Sequence, residues 1–279
     1  MTKKISTANE AWIQLLSHLF FEGSQASPRQ QDTLEWLGHQ SVVDMRYPLV
    51  TVEARNLGYR FAPAEAWWIG TGRDDVASIT PYSRAIAQFS DDGETFFGAY
   101  GPKVRDQLPH VISTLCQDPD SRQAVINIWR ESPPRSRDIP CTLSAQWLVR
   151  TDEAGRRFVY CVDTMRSSDA WLGWPYDVFN FTMLSAYVAA SLARAWGEPV
   201  YLGELVLQAG SQHLYRRDLE GAKACLQERR AFSYRPLNPM DFADDPELVW
   251  AHLKALADRD LSALILSPST FLVELVDDP

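Results

Sequence analysis

Apolar residues recur along the chain at intervals that change from helical to strand-like and back. Residues Ala8 to Phe21 are spaced near 3.6 and predict an amphipathic helix. A polar loop from Glu22 to Gln31 follows and carries Pro28 and Arg29. Leu34 to Val50 alternates and reads as strand, turn and strand. Phe61 to Gly70 begins a helix in which Glu65 is flanked by small residues, Trp67 and Trp68. The turn Asp91-Asp92-Gly93-Glu94 and a helix over Gln107 to Gln117 come next. Asp118 to Arg122 breaks that helix before a strand over Ala124 to Trp129, and an exposed Pro- and Arg-rich stretch runs from Arg130 to Asp138. Strands over Leu143 to Val149 and Arg157 to Val162 flank the hairpin turn Asp152 to Gly155. Val178 to Ala195 reads as a buried helix and Val200 to Gln208 as a further strand. The last sixty residues mix helices over Leu219 to Arg230 and Pro246 to Ala257 with a final strand, Ser262 to Leu266. The tail Asp277-Asp278-Pro279 is expected to fray.

Between the strand ending at Val162 and the helix from Val178 lies Met165 to Asp177, the densest polar stretch between two apolar elements. Desolvating such groups without partners costs ~1–3 kcal/mol each. They therefore either cap the following helix, through Ser168 or Asp169, or hold a polar ligand.

Composition narrows the classes. With 279 residues, 46% of them apolar, the chain can bury a sizeable core. It contains no apolar run long enough to span a bilayer, and residues 1–10 lack the apolar region of a secretion signal. A cytoplasmic protein without membrane attachment is expected. The four cysteines, Cys116, Cys141, Cys161 and Cys225, show neither metal-ligand spacing nor a disulfide framework, so no metal is expected. A net charge of −9 argues against nucleic-acid binding. An anionic ligand would need a local cluster of arginines.

Several short motifs, in order, resemble the thymidylate synthase family. They are Glu22-Gly23 with Arg29, Gly38-His39-Gln40, Pro48-Leu49-Val50-Thr51, Glu65-x-x-Trp68, Tyr100-Gly101 and Asp118-Pro119-Asp120-Ser121-Arg122. Pro140-Cys141 with Gln146, Arg166-Ser167-x-Asp169-x-x-Leu172-Gly173-x-Pro175 and His213-x-Tyr215 complete the series. The likeness runs from about residue 10 to residue 220, within a single domain over 1–279 whose last sixty residues diverge. It implies an α+β fold, a mixed β-sheet layered with helices, and a homodimer packed sheet to sheet. It also implies a thiolate that adds to C6 of a pyrimidine nucleotide, so that C5 captures the one-carbon unit of 5,10-methylenetetrahydrofolate.

By this resemblance Cys141 is the nucleophile, activated by Arg166, and Glu65 the proton handler. Arg29, Arg166 and Ser167 hold the 5′-phosphate, as suits the planar guanidinium fork. His213 and Tyr215 bond the sugar hydroxyl, while Asp169 and Trp68 face the folate. The family's pair of arginines that reaches into the partner subunit appears here as Arg122-Gln123, so only Arg122 can serve.

Departures from the pattern bear on the reaction. Asp177 stands where the family's uracil-reading Asn is expected, a change that favours the amino edge of cytosine over O4 of uracil; otherwise Asp177 caps the next helix. Thr142 follows the cysteine instead of His, Met165 replaces Gln, and Ser211 replaces Asp. The folate-covering tryptophans cannot be placed over residues 79–92, and the short C-terminal closing segment has no counterpart. These changes resemble the deoxycytidylate or cytidylate 5-hydroxymethylase branch, in which water rather than hydride completes the reaction. The alternatives are a C5 methyltransferase acting on deoxyuridylate and a catalytically silent nucleotide-binding relative.

Overall fold

The computed structural model describes residues 5–265, 269 and 271–273. The fraying expected of the acidic tail concerns residues outside that set. Six strands, β1 (Ser24–Ala26), β2 (Thr33–Asp44), β3 (Val125–Asn127), β4 (Thr142–Thr151), β5 (Arg157–Asp169) and β6 (Val200–Tyr215), form one mixed sheet in the order β1-β2-β6-β5-β4-β3. Neighbours run antiparallel except β5 and β6, which are parallel. A parallel pair needs a crossover. The helix α5 (Trp174–Trp196) provides it.

The other helices are α1 (Ala8–Glu22), α2 (Phe61–Gly70), α3 (Val76–Ile79), α4 (Gly101–Gln117), α6 (Leu219–Gln227), α7 (Leu248–Asp258) and α8 (Leu261–Ile265). α5 is buried over most of its circumference, as its apolar run requires, and packs on β5 and β6 on one side and α2 on another. Pro175 opens it, and Gly197, at φ 69°, closes it in the left-handed conformation that glycine adopts without strain. At the N-terminal end, Thr7 and Glu10 form a reciprocal capping box on α1. Trp12 in α1 donates its indole N–H to the Ala170 carbonyl at 2.7 Å, tying α1 to the turn between β5 and α5.

The α+β expectation holds, with differences in detail. Leu34 to Val50 is a single strand ending at Asp44, not two strands. Beyond the turn, Leu49 N–H donates to the Tyr234 hydroxyl and Thr51 N–H to Asn9 Oδ1, so side chains replace a neighbouring strand. α4 starts six residues before the predicted Gln107, with Pro102 in its first turn, and accommodates Pro109 on its exposed side. β5 continues past Val162 to Asp169, so part of the polar stretch is sheet. Over residues 262–265 the expected final strand is a helix instead, because Asp260 Oδ1 accepts from the backbone N–H groups of Ser262 and Ala263. Leu266, the last residue of that expectation, lies outside the described residues.

Candidate active site

α2 and α5 converge on a cavity to which they contribute Glu65, Trp68, Asp177 and Asn180. Asp177 and Asn180 are three residues apart and share a helix face. Asn180 Nδ2 donates to Glu65 Oε2 at 2.8 Å. Burial raises the Glu65 carboxyl to about 7 despite the amide hydrogen bond, which pulls it down. Asp177 is raised well above the usual carboxylate range, first by burial and then by the charges of Glu65 and Asp169. Gly173 leaves room for it: a Cβ there would stand 3.3 Å from Asp177 Oδ2. The apolar part of the lining includes Trp68, Ile69, Ile86, Phe89 and Phe96. Trp68 is fixed there by its indole N–H, which donates to the Asp75 carbonyl at 3.1 Å, and by its edge contact with Phe96.

Cys141 immediately precedes β4, beside a register irregularity between Thr142 and Ser144. Arg166 on β5 wraps this corner. Its N–H groups donate to the carbonyls of Pro140 at 3.0 Å and Ile139 at 2.9 Å, and to Ser167 Oγ at 3.0 Å. Arg166 Nη2 and Ser167 Oγ each lie 3.7 Å from Cys141 Sγ. The guanidinium is thus held against the sulfur by two backbone oxygens. Burial pushes the Cys141 thiol up by more than Arg166 and Ser167 pull it down. Tyr100, which precedes α4, supports the same corner, its hydroxyl accepting from Thr142 N–H at 3.1 Å.

The ends of β5 and β6 run in register, pairing Ser167 with Ser211 and Asp169 with His213. His213 and Tyr215 pack edge to face with ring centres 5.2 Å apart. Ser211, the position without the family's Asp, donates to Glu35 Oε1 of β2 at 2.5 Å, so a carboxylate reaches this spot from the neighbouring strand. Asp169 Oδ1 accepts from the N–H groups of Trp171 at 2.8 Å and Leu172 at 3.1 Å. It therefore shapes the turn into α5, as one reading of the sequence expected.

Two expected phosphate ligands lie on exposed segments. Arg29 is exposed, with a left-handed φ of 53°. Arg122 is also exposed, and its carbonyl accepts from Gln146 Nε2 at 2.8 Å. Neither guanidinium is held by an ion pair among the described residues. Asn180, Ile86 and Phe89 were not singled out in the sequence. The spacing of three from Asp177 is the signal that could have found Asn180; Ile86 and Phe89 carry no motif.

A family model described as "Thymidylate synthase" matches residues 10–245. The deoxyuridylate hydroxymethyltransferase of Pseudomonas phage M6 is 31% identical over 209 residues, covering 70% of this chain and 58% of that protein. The deoxyuridylate hydroxymethyltransferase of Bacillus phage SP01 is 29% identical over 167 residues, covering 52% of this chain and 43% of its own length. The chain thus matches about half the length of these relatives. The fold, the order of the motifs and the extent of the match agree: this chain belongs to the thymidylate synthase family.

Proposed function

We propose that the chain is a pyrimidine nucleotide 5-hydroxymethyltransferase that uses 5,10-methylenetetrahydrofolate as co-substrate and prefers deoxycytidylate or cytidylate. The observation that carries this reading is Asp177, an acid on the wall of a cavity shared with Glu65 and Asn180. Its raised proton affinity changes the argument from sequence. A neutral carboxyl offers one donor and one acceptor and can face either pyrimidine edge, so charge repulsion against O4 does not decide the base. An acid differs from an amide in having a proton to transfer. N3 of cytosine is basic enough to take that proton as electrons move from the C5–C6 bond toward N3; O4 of uracil is a far weaker base.

In this mechanism Cys141 Sγ bonds to C6, and Asp177 supplies the proton that neutralises the charge developing on the ring. Arg166 and Ser167 bind the 5′-phosphate beside the nucleophile, with Arg29 closing over it. His213 and Tyr215 take the sugar, and Asp169 the folate. The apolar wall of Trp68, Ile86 and Phe89 suits a flat heteroaromatic donor, which when bound supplies a carbon at the oxidation level of formaldehyde. Glu65, poised near neutrality, takes and returns protons as C5 loses its hydrogen and water adds to the new exocyclic carbon. Hydration needs no reductant, so the products are the hydroxymethylated nucleotide and tetrahydrofolate. A sheet-to-sheet homodimer belongs to the same reading, with Arg122 reaching a partner's phosphate site; Leu37 of β2, 70% exposed, supports it.

A second reading, deoxyuridylate as substrate, is favoured by the names of the two phage relatives. Tritium release from C5-labelled deoxycytidylate, cytidylate and deoxyuridylate, measured side by side, separates the two. Faster release from a cytosine nucleotide supports Asp177 as a proton donor to N3; release confined to deoxyuridylate establishes the second reading.

A further inference from the structure

Asp138 brings a third carboxyl to the cavity that Glu65 and Asp177 line. It ends the stretch that the sequence presents as an exposed loop, and in the fold it is half-buried. Glu65 arrives on α2, and Asp177 and Asn180 on α5; Asp138 arrives on the segment that leads into the nucleophile three residues later. That segment is held residue by residue. Gly98 N–H donates to Asp138 Oδ2 at 2.7 Å, and Arg166 holds the carbonyls of Ile139 and Pro140. On the other side, Asp138 N–H donates to Ser136 Oγ at 3.0 Å, and the Ser136 hydroxyl donates to Asp91 Oδ2 at 2.6 Å. The approach to Gly98 requires glycine: a Cβ there would stand 2.6 Å from the Asp138 carbonyl oxygen and 3.0 Å from Asp138 Oδ1.

The tether to Gly98 uses one carboxyl oxygen. Among the described residues no hydrogen bond reaches the other, Oδ1. An amide would accept from Gly98 equally well, so the tether does not explain an acid at this position. The proposed reaction does. In each turnover two protons are taken, one from C5 and one from water, and both end on the released tetrahydrofolate. A carboxyl holds one proton at a time. Asp177 serves the ring, and Glu65, with Oε2 bonded to Asn180, serves C5. The proton of water is left for a third acid, and Asp138 is the remaining carboxyl on the cavity wall. Burial raises its proton affinity above that of an ordinary carboxyl, as suits a group that takes a proton near neutral pH.

We propose that Asp138 is the base of the hydration step, with Oδ1 orienting the water that adds to the exocyclic carbon and taking its proton. The water oxygen bonds to that carbon, and the electron pair of its double bond to C5 moves into the ring. The C5–C6 double bond then re-forms as Sγ leaves C6 with its electron pair as the thiolate. The water proton passes to Asp138. The inference rests on the proposed function and divides between Glu65 and Asp138 the proton transfers first given to Glu65 alone. It also gives a reason for the close packing at Gly98, which fixes the carboxyl on the same segment as the nucleophile.

The test uses the full chain with Asp138→Asn, which keeps an acceptor for Gly98 N–H and removes the base. Single turnovers with methylenetetrahydrofolate follow two events: tritium release from C5 and formation of the hydroxymethyl nucleotide, weighed by mass spectrometry. The nucleotide is whichever of deoxycytidylate, cytidylate and deoxyuridylate the parent turns over fastest. Asp138→Asn should release tritium in the first turnover within twofold of the parent rate, because C5 loses its hydrogen before water adds. Its hydroxymethyl product should form about tenfold more slowly or worse, so one equivalent of tritium per site precedes the product. The inference is overturned if product forms within twofold of the parent rate. It is also overturned if both events slow by the same factor, the result of a purely structural role. Should Asp138→Asn melt too low to assay, Asp138→Ala decides: added formate, which restores a base but no tether, should recover part of its product rate, and no recovery overturns the inference. A parent that releases no tritium, or that yields a methylated nucleotide, removes the proposed function and this inference together; a parent that hydroxymethylates beside an unaffected Asp138→Asn removes the inference alone.

Discussion

Asn180 donates its amide to Glu65 at 2.8 Å, from a position one helical turn beyond Asp177. One face of α5 therefore carries the acid proposed to meet the base and the amide that pulls down the proton affinity of the second acid. Replacing Asn180 with Leu removes the interaction that pulls Glu65 down, so the Glu65 carboxyl should rise above about 7. The pH profile of kcat should shift its acidic limb upward by about one unit, with little change in nucleotide affinity. An unmoved limb would show that Glu65 does not govern the profile.

The same carboxyl makes stability depend on pH. Its folded value of about 7 lies above the ordinary 4.5. The folded state thus holds this proton more tightly than the unfolded chain. The resulting stabilisation is fully present below pH 4.5 and is lost as pH rises toward 7, by about 3 kcal/mol at most. Glu65→Gln should flatten the decline in chemical-denaturation stability across that window. A slope equal to the parent's would assign the dependence to other groups, Asp177 among them.

Cys141 is resistant to ionisation in the free protein because burial outweighs Arg166. Alkylation of Cys141 by iodoacetamide, followed by peptide mass spectrometry, should be slow at neutral pH and quicken toward alkaline pH. Arg166→Gln should move that midpoint further up, since the guanidinium 3.7 Å from Sγ favours the thiolate. A midpoint unchanged by the substitution would remove Arg166 from the account of the thiol.

Trp12 fixes the turn that follows Asp169 through its bond to the Ala170 carbonyl. Trp12→Phe keeps most of the apolar contact and leaves that buried carbonyl without its donor. Stability in urea should drop by ~1–3 kcal/mol. A loss well below this range would mean that the turn is held by Asp169 alone.

The sequence was informative where chemistry repeats in short runs. Cys141, Arg166 and Ser167 could be read together because Pro-Cys and Arg-Ser motifs carry them, and they meet at one corner of the sheet. The grouping of Glu65 with Asp177 depends on α2 packing against α5, which local spacing does not encode. Long-range pairing also hid Glu35, whose carboxylate reaches Ser211 from the adjacent strand. The segment after Asp44 misled for a related reason. Its alternation is real, but the backbone of Leu49 and Thr51 bonds to side chains of Tyr234 and Asn9, which no period-two pattern reveals. Burial of the thiol, which pushes it up, was equally invisible in the motif.

Asp177→Asn tests the base-reading residue apart from the rest of the site. The amide keeps the shape and removes the transferable proton. Relative tritium release should move toward the uracil nucleotide by tenfold or more, as expected when a buried polar match is reversed. A preference that does not move would show that another group reads the ring.

The central claim is that Cys141 bonds covalently to a pyrimidine nucleotide. Fluorine at C5 blocks the proton loss that lets the adduct resolve. The protein is incubated with 5-fluorodeoxycytidylate and methylenetetrahydrofolate, digested, and the peptide containing Cys141 is weighed. The account predicts that this peptide carries the combined mass of the fluorinated nucleotide and methylenetetrahydrofolate, joined through C5, and that Cys116 and the other cysteines do not. An unmodified Cys141 peptide, with tight nucleotide binding measured in the same sample, would contradict it.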